Sequence, residues 1–172
     1  DDSTSQLIIE NGVVVGCNPT TVNVRIPEGI TSIGPEAFKE CTALKSVVIP
    51  NSVTKIGNSA FENCDSLKNI EIPNSVTEIG ELTFDNCSSL ESVILPNSIT
   101  KISSSTFYRC TSLQNIEIPS SVEEIGPAAF WGCASLQNIE IPNGVTNILP
   151  FAFGGCTSLK SVTIPNSVTK IT

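Results

Sequence analysis

From Ile26 to Thr172 one 23-residue pattern recurs with no insertion or deletion, most plainly as IPNSVTKIGNSAFENCDSLKNIE (Ile49–Glu71) and IPNSVTEIGELTFDNCSSLESVI (Ile72–Ile94). A fixed period of that length restricts the chain to a solenoid, because each unit has only its neighbours against which to bury an apolar face. Residues Asp1–Gln6 (DDSTSQ) are small and polar and read as a disordered lead. Leu7–Arg25 reads as a capping hairpin followed by the first strand. Ile26–Thr172 holds six repeats and a partial seventh, so truncation of a longer array is expected at the C-terminus. No Met is present, and no signal peptide is visible.

Each column of the repeat has a physical role. L-x-x-V-x-I-P, as in Leu44 to Pro50, alternates inward aliphatic positions as a half-buried strand does, and the Pro ends the hydrogen-bond ladder. Seven such strands, stacked in parallel, are expected to form one sheet. V-T-x-I follows, with a second inward pair such as Val53 and Ile56, and reads as a shorter strand on another face. In G-x-x-A-F-x-x-C the Gly permits a tight bend, and Pro35 and Pro127 stand where a helix would accept them, so one 3₁₀ or α-helical turn is expected. Six of the seven Phe (Phe38, Phe61, Phe84, Phe107, Phe130 and Phe153) form a stacked column on that convex side. At the start, two β-rich runs flank Asn11-Gly12, the pair a type I′ hairpin turn requires. At the end, the strand near Val162–Ile164 offers an unpaired edge, which predicts self-association through the last repeat unless the chain continues.

Composition narrows the function. Net charge is −8, with nine Lys and Arg scattered singly, so phosphate backbones and anionic lipid surfaces are repelled and no nucleic-acid partner is expected. No apolar run approaches a membrane span, so no membrane insertion is expected. His is absent, which removes Ser-His-Asp and Cys-His nucleophilic sites and His-based zinc sites. No catalytic, cofactor-binding or metal-binding residue is expected.

The columns resemble the leucine-rich repeat of the bacterial-surface, BspA-like subclass, whose pattern is L-x-x-I-x-I-P-x-x-V-x-x-I-G-x-x-A-F-x-x-C. Ile49–Cys64 carries its positions from the second Ile onward, and the opening IIENGVVVG is similar to that family's entry hairpin. The resemblance implies a leucine-rich repeat solenoid: a right-handed β/α-type superhelix with a parallel sheet on one face, short 3₁₀ or helical turns and loops on the other, and an N-terminal hairpin cap. It also implies a secreted or cell-surface protein, adhesin-like, that recognises a protein or glycan partner. The alternative is a structural spacer holding other domains of a longer surface protein.

Six of the seven Cys form a column (Cys41, Cys64, Cys87, Cys110, Cys133 and Cys156), and Cys17 stands one residue out of register. Stacked side chains point the same way, so the column reads as small buried thiols bonded weakly to loop carbonyls.

Binding residues are sought where columns break. The position after Phe reads Lys39, Glu62, Asp85, Tyr108, Trp131 and Gly154, which puts the only Tyr and the only Trp in adjacent coils. With Leu149 and Phe151 they make the first candidate patch for a partner, since exposed aromatic clusters serve protein interfaces and sugar stacking. The second candidate lies on the outward face of the main sheet: Asn115, Glu117, Asn138 and Glu140.

Overall fold

The computed structural model describes residues 6–172, so Asp1–Ser5 of the expected lead lie outside the described residues. Gln6 belongs to the folded chain, its carbonyl accepting the Asn18 N–H at 2.9 Å. Strands β1 (Leu7–Glu10) and β2 (Val13–Cys17) form the antiparallel hairpin, turning at Asn11 (φ 51°) and Gly12 (φ 77°). Both central residues carry the positive φ of a type I′ turn, whose twist matches the strands it joins. β2 then pairs in parallel with Ser32–Ile33, so the cap extends the V-T-x-I side of the solenoid.

That side carries the longer sheets. The hairpin, Ser32–Ile33, Lys55–Ile56 and Glu78–Ile79 make a five-stranded sheet. Lys101–Ile102, Glu124–Ile125, Asn147–Ile148 and Lys170–Ile171 make a four-stranded one. The interruption between them falls where Ser103 replaces the column Gly. In neighbouring coils that residue's N–H meets the preceding coil's Ile carbonyl, as Gly80 meets Ile56 at 2.9 Å and Gly126 meets Ile102 at 2.8 Å. At Ser103 the hydroxyl reaches the Ile79 carbonyl instead, at 2.7 Å. A Cβ at Gly126 would sit 2.7 Å from the Ile102 oxygen, yet Leu149 in the same column keeps its N–H on the Ile125 carbonyl at 3.0 Å, so the lapse at Ser103 accompanies its hydroxyl bond rather than the mere loss of glycine.

The L-x-x-V-x-I side differs from the continuous seven-stranded sheet expected. Its three-residue strands join in pairs: Asn23–Arg25 with Ser46–Val48, Asn69–Glu71 with Ser92–Ile94, and Asn138–Glu140 with Ser161–Thr163. Asn115 makes only an isolated bridge to Asn138. Each pair puts Asn below Ser in the same outward row, and in two of them the Ser hydroxyl donates to the Asn carboxamide oxygen (Ser46 to Asn23, 2.7 Å; Ser92 to Asn69, 2.6 Å). The short hydroxyl closes the gap above an Asn. Where Asn69 follows Ser46, or Asn115 follows Ser92, no strand pairing forms between those coils.

The third side corrects the expected helical turn: no helix occurs among the described residues. Alternate N–H groups point in different directions there. Those of Ala37, Lys39 and Cys41 reach back three residues, whereas those of Glu36, Phe38 and Glu40 donate to Asn58, Ala60 and Glu62 of the next coil at 2.7–2.9 Å. A helix would direct every N–H along its own axis and leave the coils unjoined. The alternation requires left-handed residues twice per coil, including Glu36 and Glu40, Ser59 and Asn63, and Leu82 and Asn86. The interchain-like bonding this allows offsets the strain of placing Leu82 at φ 57°.

Between the three sides the core is a set of ladders. Phe38 to Phe153 stack with centroids 5.0–5.6 Å apart and rings within 13° of parallel. Beside them the thiols of Cys64, Cys87, Cys110, Cys133 and Cys156 each donate to a Phe carbonyl 26 residues earlier at 3.1–3.2 Å, the loop-carbonyl bonding expected of that column.

Candidate functional site

The column after Phe sits on the turn side, and its members interact in sequence order. Lys39 bridges Glu36 (3.4 Å) and Glu62 (3.3 Å). Further along, Tyr108 and Trp131 stack at 4.8 Å and 11°. The Arg109 guanidinium lies 5.4 Å from the Tyr108 centroid and 5.5 Å from that of Trp131. Trp131 in turn rests on Gly154, where an added Cβ would fall 2.6 Å from the indole Cδ1. Tyr108 and Trp131 are half-buried. Arg109 and Gly154 were not among the residues singled out from sequence, although Arg109 follows Tyr108 directly and Gly154 ends the same column. The ladder places Tyr108 against one face of the Trp131 ring and brings Gly154 close to its Cδ1 and Nε1. Of the other two patch residues, Leu149 is half-buried and Phe151 is 75% exposed, held at φ 62° in the left-handed position of its coil.

Asp85 stands in the same column, between Glu62 and Tyr108. Burial pushes its carboxyl above the ordinary range, with repulsion from Glu62 adding to it and the charges of Arg109 and Lys39 opposing. A raised folded-state pKa means that folding disfavours the anion: the penalty is present at neutral pH and is lost as pH falls through the raised range. Asp85→Asn is therefore expected to raise Tm at pH 7, with the advantage shrinking on acidification. Thermal scans across pH check this, and a variant less stable than the parent at neutral pH would contradict it.

The second candidate set is brought together on the L-x-x-V-x-I face. Asn115, Glu117, Asn138 and Glu140 are all exposed, and the Asn115–Asn138 bridge sets the two coils in register. They line a shallow depression of about 510 Å³ whose floor is Val93, Ile116 and Ile139. Two further hollows of about 260 Å³ adjoin it: one reaches from Glu117 to Ile94, which is 60% exposed, and the other from Glu140 to Ser120 and Pro142. A further hollow of about 370 Å³ runs from Glu140 to Thr163 and Pro165 beside the paired strands Asn138–Glu140 and Ser161–Thr163, so the relief extends along this face whether or not its strands are joined. Acidic heads over an apolar floor match the charge and the stem of Lys or Arg side chains. Among the described residues no group of three or more His, Cys, Asp or Glu is arranged to hold a metal ion, and no helix is long and apolar enough to cross a membrane.

The sequence pattern of the BspA type leucine rich repeat region matches in six copies over residues 8–137 and 83–172. Among solved structures, a leucine-rich repeat protein of T. pallidum is 33% identical, with a TM-score of 0.85 over 90% of this chain and 75% of its own. One from Bacteroides ovatus is 32% identical, with a TM-score of 0.68 over 85% of this chain and 43% of its own. A leucine rich cell surface protein of Faecalibacterium prausnitzii is 25% identical, with a TM-score of 0.56 over 82% of this chain and 59% of its own. The chain thus spans three quarters of the first and less than two thirds of the other two. No protein of curated function matches it.

Proposed function

We propose a function from one premise: the chain belongs to the BspA-type leucine-rich repeat family. On our reading it is a non-enzymatic binding module of a bacterial secreted or cell-surface protein, and a protein partner docks along the L-x-x-V-x-I face. The observation that carries this is the run of furrows around Ile94, Glu117 and Glu140, which combines apolar floor, exposed acid and irregular relief within adjacent coils. A uniform spacer needs no such relief. The aromatic ladder supports a glycan less well, since Tyr108 and Trp131 are half-buried and stacked on each other.

The test is binding of the purified chain to an immobilised panel of extracellular proteins and glycans. Glu117→Lys/Glu140→Lys is expected to weaken protein binding at least ~10-fold, because removing and reversing rim charges penalises a complementary partner, while stability stays within about 0.5 kcal/mol at these exposed sites. Tyr108→Ala/Trp131→Ala is expected to leave that binding largely intact. Loss of binding only in the aromatic variant would move the site to the turn side, and no binding by the parent chain would favour the spacer.

A further inference from the structure

The sequence contains two Asn-Gly pairs, Asn11-Gly12 and Asn143-Gly144, and every other Asn precedes a residue that carries a side chain. Asn before Gly is chemically labile, because without a Cβ in the way the next backbone nitrogen can reach the Asn side-chain carbonyl. The sequence ranks the two pairs alike, and the fold separates them. Asn11 and Gly12 are the centre of the hairpin turn, closed between the paired residues Glu10 and Val13 and set at φ 51° and 77°. The Gly12 carbonyl also accepts the Thr31 N–H of the first coil at 2.9 Å. Neither residue can swing toward the other without opening that turn.

The second pair lacks the ties that its counterparts have. Asn143 and Gly144 are both exposed, in a turn closed by the Val145 N–H on the Pro142 carbonyl at 3.0 Å. Gly144 stands where the two preceding coils have Ser98 and Ser121. Those hydroxyls fasten their turns to the coil behind: Ser98 donates to the Asn74 and Val76 carbonyls (2.8 and 2.6 Å), and Ser121 to the Ile99 carbonyl (2.6 Å). Gly144 has no hydroxyl to do so. The Asn74 carboxamide is likewise occupied, accepting the Asn97 N–H at 3.0 Å. Among the described residues neither the Asn143 carboxamide nor the Gly144 N–H has such a partner.

We propose that Asn143 is a modification site, deamidated by water through attack of the Gly144 nitrogen on its side chain. Hydroxide takes the Gly144 amide proton, and the nitrogen attacks the Asn143 Cγ. The bond from Cγ to the side-chain nitrogen breaks, and ammonia leaves with a proton from water. The product is a five-membered imide. Water then opens it, giving aspartate where the new C–N bond breaks and isoaspartate where the original peptide C–N bond breaks. One water is consumed, one ammonia is released, and nothing is oxidised or reduced. Asn143 lines the hollow that Glu140, Thr163 and Pro165 also line, so the new carboxylate adds negative charge to a face already acidic at Glu117 and Glu140.

The full chain is to be kept in mildly alkaline buffer, digested, and mapped by fragmentation mass spectrometry that tells aspartate from isoaspartate. A gain of one mass unit is expected at Asn143, in both products, growing faster at higher pH, while Asn11 stays unchanged. In urea that unfolds the chain, both pairs should react. Gly144→Ser should abolish the gain over the same period, since a Cβ then hinders the attack. Asn143→Gln should do so with Gly144 left in place, because its ring would need a sixth member, and it decides the matter should Gly144→Ser not fold. The proposal fails if the folded chain gains no mass at Asn143, if Asn11 reacts as fast there or stays inert in urea, or if the gain survives either substitution.

Discussion

Phe84→Ala is expected to destabilise the chain by about 4 kcal/mol, lowering Tm by roughly 10 °C. Phe84 is fully buried and stacked between Phe61 at 5.4 Å and Phe107 at 5.6 Å, so its removal opens a cavity in the middle of the ladder and ends two ring contacts at once. The backbone on either side cannot close over the gap, because the Phe84 N–H is bonded to the Thr106 carbonyl at 2.9 Å and the Phe61 N–H to the Thr83 carbonyl at 2.8 Å. Since each coil is stabilised only by its neighbours, the loss should also broaden the denaturation curve as the two halves uncouple. A cost below about 1 kcal/mol would mean that the column contributes no more than an ordinary surface contact.

Gly57→Ala is expected to cost about 2 kcal/mol through overpacking. An added Cβ would lie 2.5 Å from the Pro35 nitrogen and 2.8 Å from the Gly34 carbonyl carbon, both of them backbone atoms of the preceding coil. The coils must separate there, stretching the bond from the Gly57 N–H to the Ile33 carbonyl, now 2.8 Å. Gly34→Ala supplies the scale. Its Cβ would meet the Val14 oxygen at 3.0 Å and the movable Val13 side chain at 3.4 Å, so a smaller cost is expected. Equal costs at the two positions in urea titrations would show that the close approach between coils is not what the glycine column serves.

Much of this fold was legible because the sequence states it repeatedly. The Leu, Phe and Cys columns, the Asn11-Gly12 turn and the shorter second strand all follow from side-chain size and local backbone preference. The missing helix was not legible in the same way. G-x-x-A-F is compatible with a helical turn, and what excludes one is bonding to a residue 22 positions ahead, as from Phe38 to Ala60. A partial signal existed in the column Glu40, Asn63, Asn86, Arg109, Gly132 and Gly155, where Asn and Gly favour the left-handed conformation that all six adopt. The Asn-then-Ser order that matches strand pairing was also present in the outward row, but period-2 alternation alone does not distinguish it. At the candidate sites the period placed Tyr108 beside Trp131 and Glu117 beside Glu140. The closeness of Gly154 to the indole and the hollows near Asn115 depend on coil spacing, which a period does not specify.

The lapses in the two strand faces have a mechanical consequence. The V-T-x-I face is open between Glu78–Ile79 and Lys101–Ile102, but there the other face is joined, Asn69–Glu71 to Ser92–Ile94. One coil earlier and one coil later the situation reverses: Lys55–Ile56 meets Glu78–Ile79, and Lys101–Ile102 meets Glu124–Ile125, while the L-x-x-V-x-I face is unpaired. The joints are therefore staggered, as in brickwork, and the turn side is bonded across each of these three seams. Among the described residues no single plane of cleavage runs through both strand faces, so a rod of such coils can flex at its open joints under load without parting at any one of them.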